Sequence, residues 1–416
     1  MAALHAQERL HALDALRGVA MLLGVVLHAG MPFMHGHVLG AFPAMQTEVT
    51  LWLARDVQAD PVYDLLIYVI HAFRMPVFFL LAGFFAHLVY RRLGARAFLV
   101  HRFRRILLPF VAAMLTVIPV SYALGYYGAL TRVPPTGVHD LASYVAYTTI
   151  PTDGRLEVIP LHLWFLEYLV VFYLVTVLAT AVAPRLAGRW GAGAGQIIRG
   201  TLGTPLAPLM LAVMTWPFAV QMPEWTIEIG FTLRMPLHLL AFYGVFYLVG
   251  WSVFVQRELL ARWSAWSTAY LSIGLFLVLP ALILVLGPSW QRASGQDREL
   301  LDALGHGAHV LLVWLLTLGA VGLFVRLVPR PSPALRYLAG SAYWVYLVHF
   351  PLVGLLGIVV APWTLPGPVK LAGVVGVASA LLLLSYQLGV RHTAVGRFLS
   401  GRPGHRPGEA VVAVTA

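Results

Sequence analysis

The first hydrophobic segment of the chain carries two ionisable side chains, Arg17 and His28. They are eleven residues apart, and at about 100° per residue this spacing returns to within about 20° of the same helix face. An ionisable group in hydrocarbon costs several kcal/mol unless it faces a polar interior, so the pair predicts a functional site inside a membrane helix. The alternative is that Arg17 extends to the lipid headgroups and His28 contacts a neighbouring carbonyl group.

The chemistry that these residue types favour is acyl transfer. A neutral imidazole accepts a proton from an attacking hydroxyl, which makes His28 the candidate general base. The alternative is that His28 itself carries the acyl group between the two sides of the membrane. A cation that faces the reacting carbonyl stabilises the oxyanion that forms there. Arg17 or Arg74 can supply this charge, and their depth in the membrane does not decide between them.

Other polar side chains lie at a similar depth on different spans. Counting residues from the arginines that flank each span, at about 1.5 Å per residue, puts these polar side chains between the membrane centre and its outer face. Their common depth predicts a shared polar cavity that opens outward. One interpretation is that His349 orients His28 or binds the acceptor, while Tyr346, one turn away, donates a hydrogen bond; the other is a packed, satisfied His–Tyr pair. The candidate substrate-binding residues are His71, Arg74, His162, Trp164, Glu167, Tyr346 and His349.

A run of arginines follows the second span. Six arginines occur in the fifteen residues from Arg91 to Arg105. Arg102 and Arg105 are i, i+3 neighbours on a helix and can bind phosphates, so they are the candidate donor-binding residues. The alternative is an anchor that contacts anionic lipid. Together with a base farther out, the run suits a donor such as acyl-coenzyme A that reacts across the bilayer.

The composition is that of a membrane protein. The 416 residues are 60% hydrophobic and 11% charged, whereas a soluble chain carries roughly 25% charged residues. The net charge of +11 is confined to loops between apolar segments, so it indicates topology rather than nucleic-acid binding. The absence of cysteine excludes disulfides and thiolate chemistry, and no metal site is expected because no cluster of histidines and carboxylates has ligand spacing.

The elements that hold these residues are predicted to be membrane helices. The fold class is all-α, with about ten spans, because ten apolar runs are long enough to cross a bilayer. With alternate loops assigned to one side, that side holds nineteen cations and the other holds six, which predicts that both termini are cytoplasmic. Residues 10–392 form the membrane domain, and residues 393–416 are predicted to be a disordered tail. The runs are 13–33, 66–90, 106–128, 160–182, 204–221, 236–255, 267–287, 306–325, 338–360 and 369–390.

Several motifs in order resemble the membrane acyltransferase family 3. They extend over residues 10 to 400, and Phe73-Arg74-Met75 resembles the subfamily that succinylates periplasmic glucan. One departure is Ala82 before Gly83, where many members have serine. The motifs are Leu13-Asp-Ala-Leu-Arg17 through His28, His71-Ala-Phe-Arg74-Met-Pro through Gly83, Arg102-x-x-Arg105, His162-Leu-Trp164-Phe-Leu166, Tyr346-Leu-Val-His349-Phe-Pro351, and Leu399-Ser-Gly-Arg-Pro.

The resemblance implies an enzyme of the bacterial inner membrane with no bound cofactor. It implies transfer of an acyl group, here succinyl, from cytoplasmic acyl-coenzyme A to hydroxyls of a periplasmic glucan. Arg17 and His28 match the pair regarded as essential, and Arg102 and Arg105 match the motif associated with the donor. A succinyl donor brings a carboxylate into the membrane, and Arg74 is available to bind it.

Two other functions remain open at this point. One keeps the chemistry but uses an acetyl donor and another cell-envelope glycan as the acceptor. The other is a proton-coupled transporter whose buried histidines and arginines relay protons. The lack of an internal repeat and the run of cytoplasmic arginines disfavour the transporter.

Overall fold

The computed structural model describes residues 2–38, 42–43, 56–131, 138–148, 159–230 and 233–401. It is helical apart from one antiparallel pair of two-residue strands, β1 (His37–Val38) and β2 (Phe42–Pro43). The all-α prediction is therefore confirmed. The predicted outward loops at 34–65 and 129–159 lie partly outside the described residues.

The first half of the chain contains α1 to α6. A 3₁₀ turn, Met31–Phe33, follows α1, a π-helical turn, Phe103–Leu107, follows α2, and a second 3₁₀ turn, Leu161–Leu163, precedes α5. The helices are α1 (Ala2–Gly30), α2 (Pro61–Arg102), α3 (Leu108–Thr131), α4 (Leu141–Thr148), α5 (Trp164–Leu202) and α6 (Ala207–Ala219).

The second half contains α7 to α14. Wide π-helical turns connect α8, α9 and α10 at Gly274–Val278 and Leu282–Leu286, and another follows α13 at Tyr386–Val390. The helices are α7 (Leu237–Val255), α8 (Glu258–Ile273), α9 (Leu279–Ala281), α10 (Gly287–Arg292), α11 (Gly295–Leu327), α12 (Pro333–Val360), α13 (Gly367–Ser385) and α14 (Ala394–Ser400).

Among the described residues, eight helical stretches are long and apolar enough to cross a membrane. A ninth is counted if Gly195–Leu202 and Ala207–Ala219, which meet at a bend of 110°, form one broken span. The longest stretch, Pro61–Thr131, contains 71 residues. Its helix is interrupted at Gly94, whose φ of +73° lies in a region that residues with a Cβ rarely adopt.

Part of the segment 393–416, which the sequence predicted to be a disordered tail, is helical. Residues 394–400 of the predicted disordered segment form α14, which packs on the turn Phe103–Leu107. Leu399 is buried, so this apolar side chain contributes the packing that a polar tail lacks. Residues 402–416 lie outside the described part of the chain.

α1 is surrounded by other helices. It packs on α2, α11, α12 and α13. Gly18 allows close contact with α12, because a Cβ at this position would lie 3.0 Å from the backbone nitrogen of Ala339. Small residues at helix crossings let membrane helices approach closely. This contact fixes the two helices that carry His28 and His349.

A buried ion pair attaches the segment before α2 to α13. Nζ of Lys370 lies 2.9 and 3.0 Å from the carboxylate oxygens of Asp56 and donates to the carbonyl of Ala361 at 3.1 Å. The two side chains are 0% and 1% exposed. The backbone nitrogen of Asp56 also donates to the carbonyl of Pro32. The pair therefore holds the segment between α1 and α2 against α13 and the end of α12.

Replacing Lys370 with methionine is expected to destabilise the protein strongly. It leaves the Asp56 carboxylate buried without its cation, which costs about 3–5 kcal/mol and lowers the apparent Tm by about 5 °C or more. Thermal unfolding in detergent measures this shift. The double variant Lys370→Met with Asp56→Leu removes both charges and should recover most of the loss. An unchanged Tm in Lys370→Met would contradict the buried pair.

Candidate active site

α1 directs Arg17 and His28 into the protein. They share one helix face with Gly24, while Val19 and Val26 lie on the opposite face. Val19 and Val26 are partly exposed and Gly24 is buried, as expected when the opposite face contacts lipid. Arg17 and His28 are themselves partly exposed.

The ring of His28 lies against α12. Its centroid is 5.1 Å from that of His349 and 5.1 Å from that of Phe350, which meets it at 83°. Its Nδ1 is 3.3 Å from the sulfur of Met31. A thioether sulfur only accepts hydrogen bonds, so this contact assigns the proton to Nδ1 and leaves Nε2 as the basic nitrogen.

Two further imidazoles complete a cluster, which we call the histidine cluster (His28, His162 and His349). Nδ1 of His349 donates to the carbonyls of Val345 at 2.9 Å and Tyr346 at 2.8 Å. Nε2 of His162 donates to the carbonyl of Leu347 at 3.1 Å, and the two rings are 5.2 Å apart. Carbonyl oxygens only accept, so Nε2 of His349 and Nδ1 of His162 carry lone pairs. Both nitrogens are buried without a partner among the described residues.

The turn that carries His162 is strained and is held by α12. Leu161 has a φ of +50°, a conformation that costs a non-glycine residue about 1–3 kcal/mol. The hydroxyl of Tyr346 donates to the carbonyl of His162 at 2.7 Å, and the ring of Phe350 stacks on His162 at 5.1 Å and 11°. The sequence left open whether Tyr346 donates a hydrogen bond or only packs beside His349. It donates one, to the main chain of His162, so Tyr346 is a positioning residue.

Arg74 brings a positive charge to the histidine cluster. Its Nη1 lies 2.6 Å from where a Cβ on residue 24 would be, so the space beside Gly24 holds the guanidinium. Side chains of an α-helix lean toward its N-terminus, so the ring of His28 covers the turn that contains Gly24. Arg17 is eleven residues away, about 16 Å along the unbroken helix. Of the two cations that the sequence left open, Arg74 is the one beside His28.

Arg17 belongs to a second group, which we call the basic cluster (Arg17, Arg102 and Arg105). Nη2 of Arg17 lies 3.1 Å from the carboxylate of Asp14 and donates to the carbonyl of Ala339 at 3.1 Å. Arg105 lies within electrostatic range of both Arg17 and Arg102. The three guanidinium groups therefore lie near one another beside the middle of α1, on the side of α1 that His28 also faces.

Phe85 connects two members of the basic cluster. The guanidinium of Arg17 lies 5.5 Å from the centre of its ring, and Nη2 of Arg102 donates to its carbonyl at 3.1 Å. Arg102 also lies over the ring of Tyr173 at 4.8 Å. The i, i+3 spacing of Arg102 and Arg105 crosses the junction between α2 and the π-helical turn. A wider turn separates side chains that an α-helix would stack, so the two guanidiniums approach the cluster from different directions.

Three predicted substrate-binding residues lie outside the histidine cluster, although one of them, His71, is within electrostatic range of both His28 and Arg74. Nε2 of His71 donates to the carbonyl of Ile227 at 2.7 Å, in the segment before α7. Trp164 packs in an aromatic core, 5.2 Å from the ring of Tyr243. Glu167 is buried at the start of α5, and its Oε2 has no partner among the described residues. The histidine cluster thus includes His162 and His349 but not these three.

A network that the sequence analysis did not single out lies between α2 and α11. Nδ1 of His309 contacts the hydroxyl of Tyr68, which donates to the carbonyl of Trp225 at 2.8 Å. Nε2 of His306 is 3.6 Å from the carboxylate of Asp302. The spacing of residues 302, 306 and 309 by three and four positions was the available signal, because it puts them on one helix face. Within the described part of the chain, no group of three or more His, Cys, Asp or Glu side chains could hold a metal ion.

Comparison with known families decides the class of this protein. The sequence profile of the acyltransferase domain (Acyl_transf_3) matches residues 10–386. The chain belongs to acyltransferase family 3. It is therefore an acyl-transferring enzyme of a multi-pass membrane family, and the resemblance inferred from the motifs is confirmed.

Curated relatives of this acyltransferase are named glucans biosynthesis protein C. Those from Salmonella gallinarum, Salmonella paratyphi B and Salmonella dublin are each 25% identical to it over 397 residues. The matched residues are 94% of this chain and 94% of each relative. No solved structure matches the acyltransferase.

Proposed function

We propose that this acyltransferase transfers a succinyl group from cytoplasmic succinyl-coenzyme A to hydroxyls of periplasmic glucan. The name of its relatives supports a glucan acceptor. The guanidinium beside Gly24 supports a donor with a free carboxylate, because arginine binds carboxylates through two parallel hydrogen bonds.

The observation that carries the proposal is the separation of the two clusters along α1. The basic cluster lies about 16 Å from the histidine cluster by the helical rise. Thirteen bonds join the nearer phosphorus of the coenzyme A diphosphate to the thiol sulfur. Since three bonds of an extended chain span roughly 3.5 Å, the distance from phosphorus to sulfur is about 15 Å. A donor whose diphosphate contacts Arg17, Arg102 and Arg105 therefore brings its thioester to His28.

The reaction then follows from the residues at His28. A glucan hydroxyl attacks the thioester carbonyl, and Nε2 of His28 takes the hydroxyl proton. The carbon–sulfur bond breaks, the imidazolium returns the proton to the thiolate, and the products are a succinyl ester and free coenzyme A. His349 and His162, neutral and adjacent, accept hydrogen bonds from the sugar hydroxyls. Direct transfer needs no covalent histidine intermediate.

We also propose ten crossings, with both termini in the cytoplasm of a bacterial cell and the protein in its inner membrane. The stretch Pro61–Thr131 supplies two crossings because Gly94 interrupts it. The bent pair Gly195–Leu202 and Ala207–Ala219 supplies one more. Nineteen cations against six support this orientation, in which the basic cluster is closer to the cytoplasm than His28.

The proposal is tested with purified protein in detergent. Incubation with succinyl-coenzyme A and unsubstituted glucan should release free coenzyme A only when glucan is present, and mass spectrometry should find succinyl esters on the glucan. Acetyl-coenzyme A serves as the competing donor. Acetyl esters alone would replace the proposed donor, and no glucan-dependent release with either donor would overturn the proposed function.

A further inference from the structure

An open groove lies on the outside of the turn that bears Arg102 and Arg105. Its volume is about 650 Å³, within the range of small-molecule sites. Apolar atoms form much of its wall, and its polar side chains are basic. The lining residues are Leu93, Gly94, Ala95, Arg96, Ala97, Val100, His101, Arg104 and Gly401. We call it the arginine groove.

One helical segment presents two pairs of basic residues to two different spaces. His101 and Arg104 line the arginine groove, whereas Arg102 and Arg105 belong to the basic cluster. Each pair has i, i+3 spacing, and the pairs are offset by one residue, so they lie on different sides of the helical segment. Gly401 lines the groove and also lies against Arg105. A Cβ on Gly401 would be 3.5 Å from the Cα of Arg105. The groove is therefore the next space beyond the basic cluster.

The chemistry of the groove selects an anion. Arg96 and Arg104 are exposed, and neither forms an ion pair with an acidic residue in the described part of the chain. Nδ1 of His101 is buried without a partner there. No acidic side chain lines the groove. Two guanidiniums and an imidazole around an apolar floor suit a phosphate attached to a flat, weakly polar ring.

We propose that the arginine groove binds the 3′-phosphoadenosine end of the donor, with Arg96 and Arg104 on the phosphate. This inference rests on the proposed function, because it extends the donor path by one step. The thioester lies at His28, the diphosphate at the basic cluster, and the nucleotide in the groove beyond it. The same phosphate chemistry is available in anionic lipid headgroups, so the test includes both.

The test compares succinyl-coenzyme A with its analogue that lacks the 3′-phosphate. Loss of a guanidinium–phosphate contact is expected to raise KM about 10-fold. Arg104→Gln and Arg96→Gln should raise KM for the full donor by this factor and leave KM for the analogue unchanged. Arg92→Gln is the matched control, because Arg92 is exposed on the same segment and does not line the groove. An equal rise with both donors, or no rise, overturns the proposal.

Two further measurements distinguish a lipid headgroup from the donor nucleotide as the bound phosphate. They also distinguish failure of the groove proposal from failure of the proposed function. If Arg104→Gln leaves KM unchanged but removes phosphatidylglycerol bound to the detergent-solubilised protein, as measured by native mass spectrometry, the groove binds headgroups and the proposal is wrong. Binding of adenosine 3′,5′-bisphosphate, measured by calorimetry, requires no acyl transfer. Binding that Arg104→Gln abolishes supports the groove even if no coenzyme A thioester is a substrate. Turnover without such binding keeps the proposed function and rejects the groove.

Discussion

Replacement of His28 by glutamine is expected to lower kcat for glucan succinylation by about 100-fold or more. General-base catalysis contributes about 10²–10⁴-fold, and glutamine fills similar space without a basic nitrogen. The variant should insert and fold, because within the described part of the chain the ring of His28 has one weak polar contact, with Met31. Release of coenzyme A and glucan mass spectra measure the loss.

The matched control for His28→Gln is His87→Gln. His87 is a buried histidine on α2 whose Nδ1 donates to the carbonyl of Trp251, so its replacement tests for a general sensitivity to losing a buried imidazole. We expect activity within a few-fold of that of the unmodified enzyme. Normal succinylation in His28→Gln would exclude this residue as the base. If His349→Gln alone then abolished turnover, the proton would instead pass to Nε2 of His349.

Replacement of Arg74 by glutamine is expected to reduce succinyl transfer selectively. A hydrogen bond to a charged group contributes about 1.5–3 kcal/mol, which corresponds to a loss of about 10- to 150-fold in kcat/KM for the succinyl donor. Acetyl-coenzyme A has no carboxylate, so its kcat/KM should change little or rise. Arg74→Lys keeps the charge, so its kcat/KM for the succinyl donor should fall between those of the unmodified enzyme and Arg74→Gln. An equal loss with both donors would mean that Arg74 acts on the oxyanion or on folding.

Gly24→Ala tests the same site without removing a charge. The new Cβ would lie 2.6 Å from Nη1 of Arg74, so the guanidinium must move away from His28. The kcat/KM for the succinyl donor should again fall more than that for the acetyl donor. Gly376→Ala is the control, since a Cβ there meets nothing within 4 Å. An unaltered donor ratio in Gly24→Ala would argue against the placement of Arg74.

The sequence predicted the features that depend on helix periodicity and hydropathy. α1 is continuous through Arg17 and His28, and these residues face inward, because their eleven-residue spacing is a property of the α-helix itself. The same spacing predicted that they share a face, but it also kept them about 16 Å apart. Periodicity along α1 therefore located Arg17 and His28 on one face, but it did not show that they belong to two separate clusters.

Features that depend on packing between helices could not be predicted from the spacing of residues in the sequence. Arg74 lies beside His28 because Gly24 leaves room for it, which requires knowledge of how α1 and α2 pack. The acceptor of the Tyr346 hydroxyl is a carbonyl in a turn nearly two hundred residues earlier in the chain. The π-helical turn at Phe103–Leu107 widens the spacing of Arg102 and Arg105 in a way that residue counting does not reveal. Long-range contacts decide each of these cases.

The most direct measurement uses sealed proteoliposomes with succinyl-coenzyme A only on the side of the chain termini and glucan only on the other side. We expect succinylated glucan to form on its own side while an equal amount of free coenzyme A accumulates opposite, and His28→Gln vesicles to form neither. Transfer that requires both substrates on one side would contradict a reaction through the protein at His28.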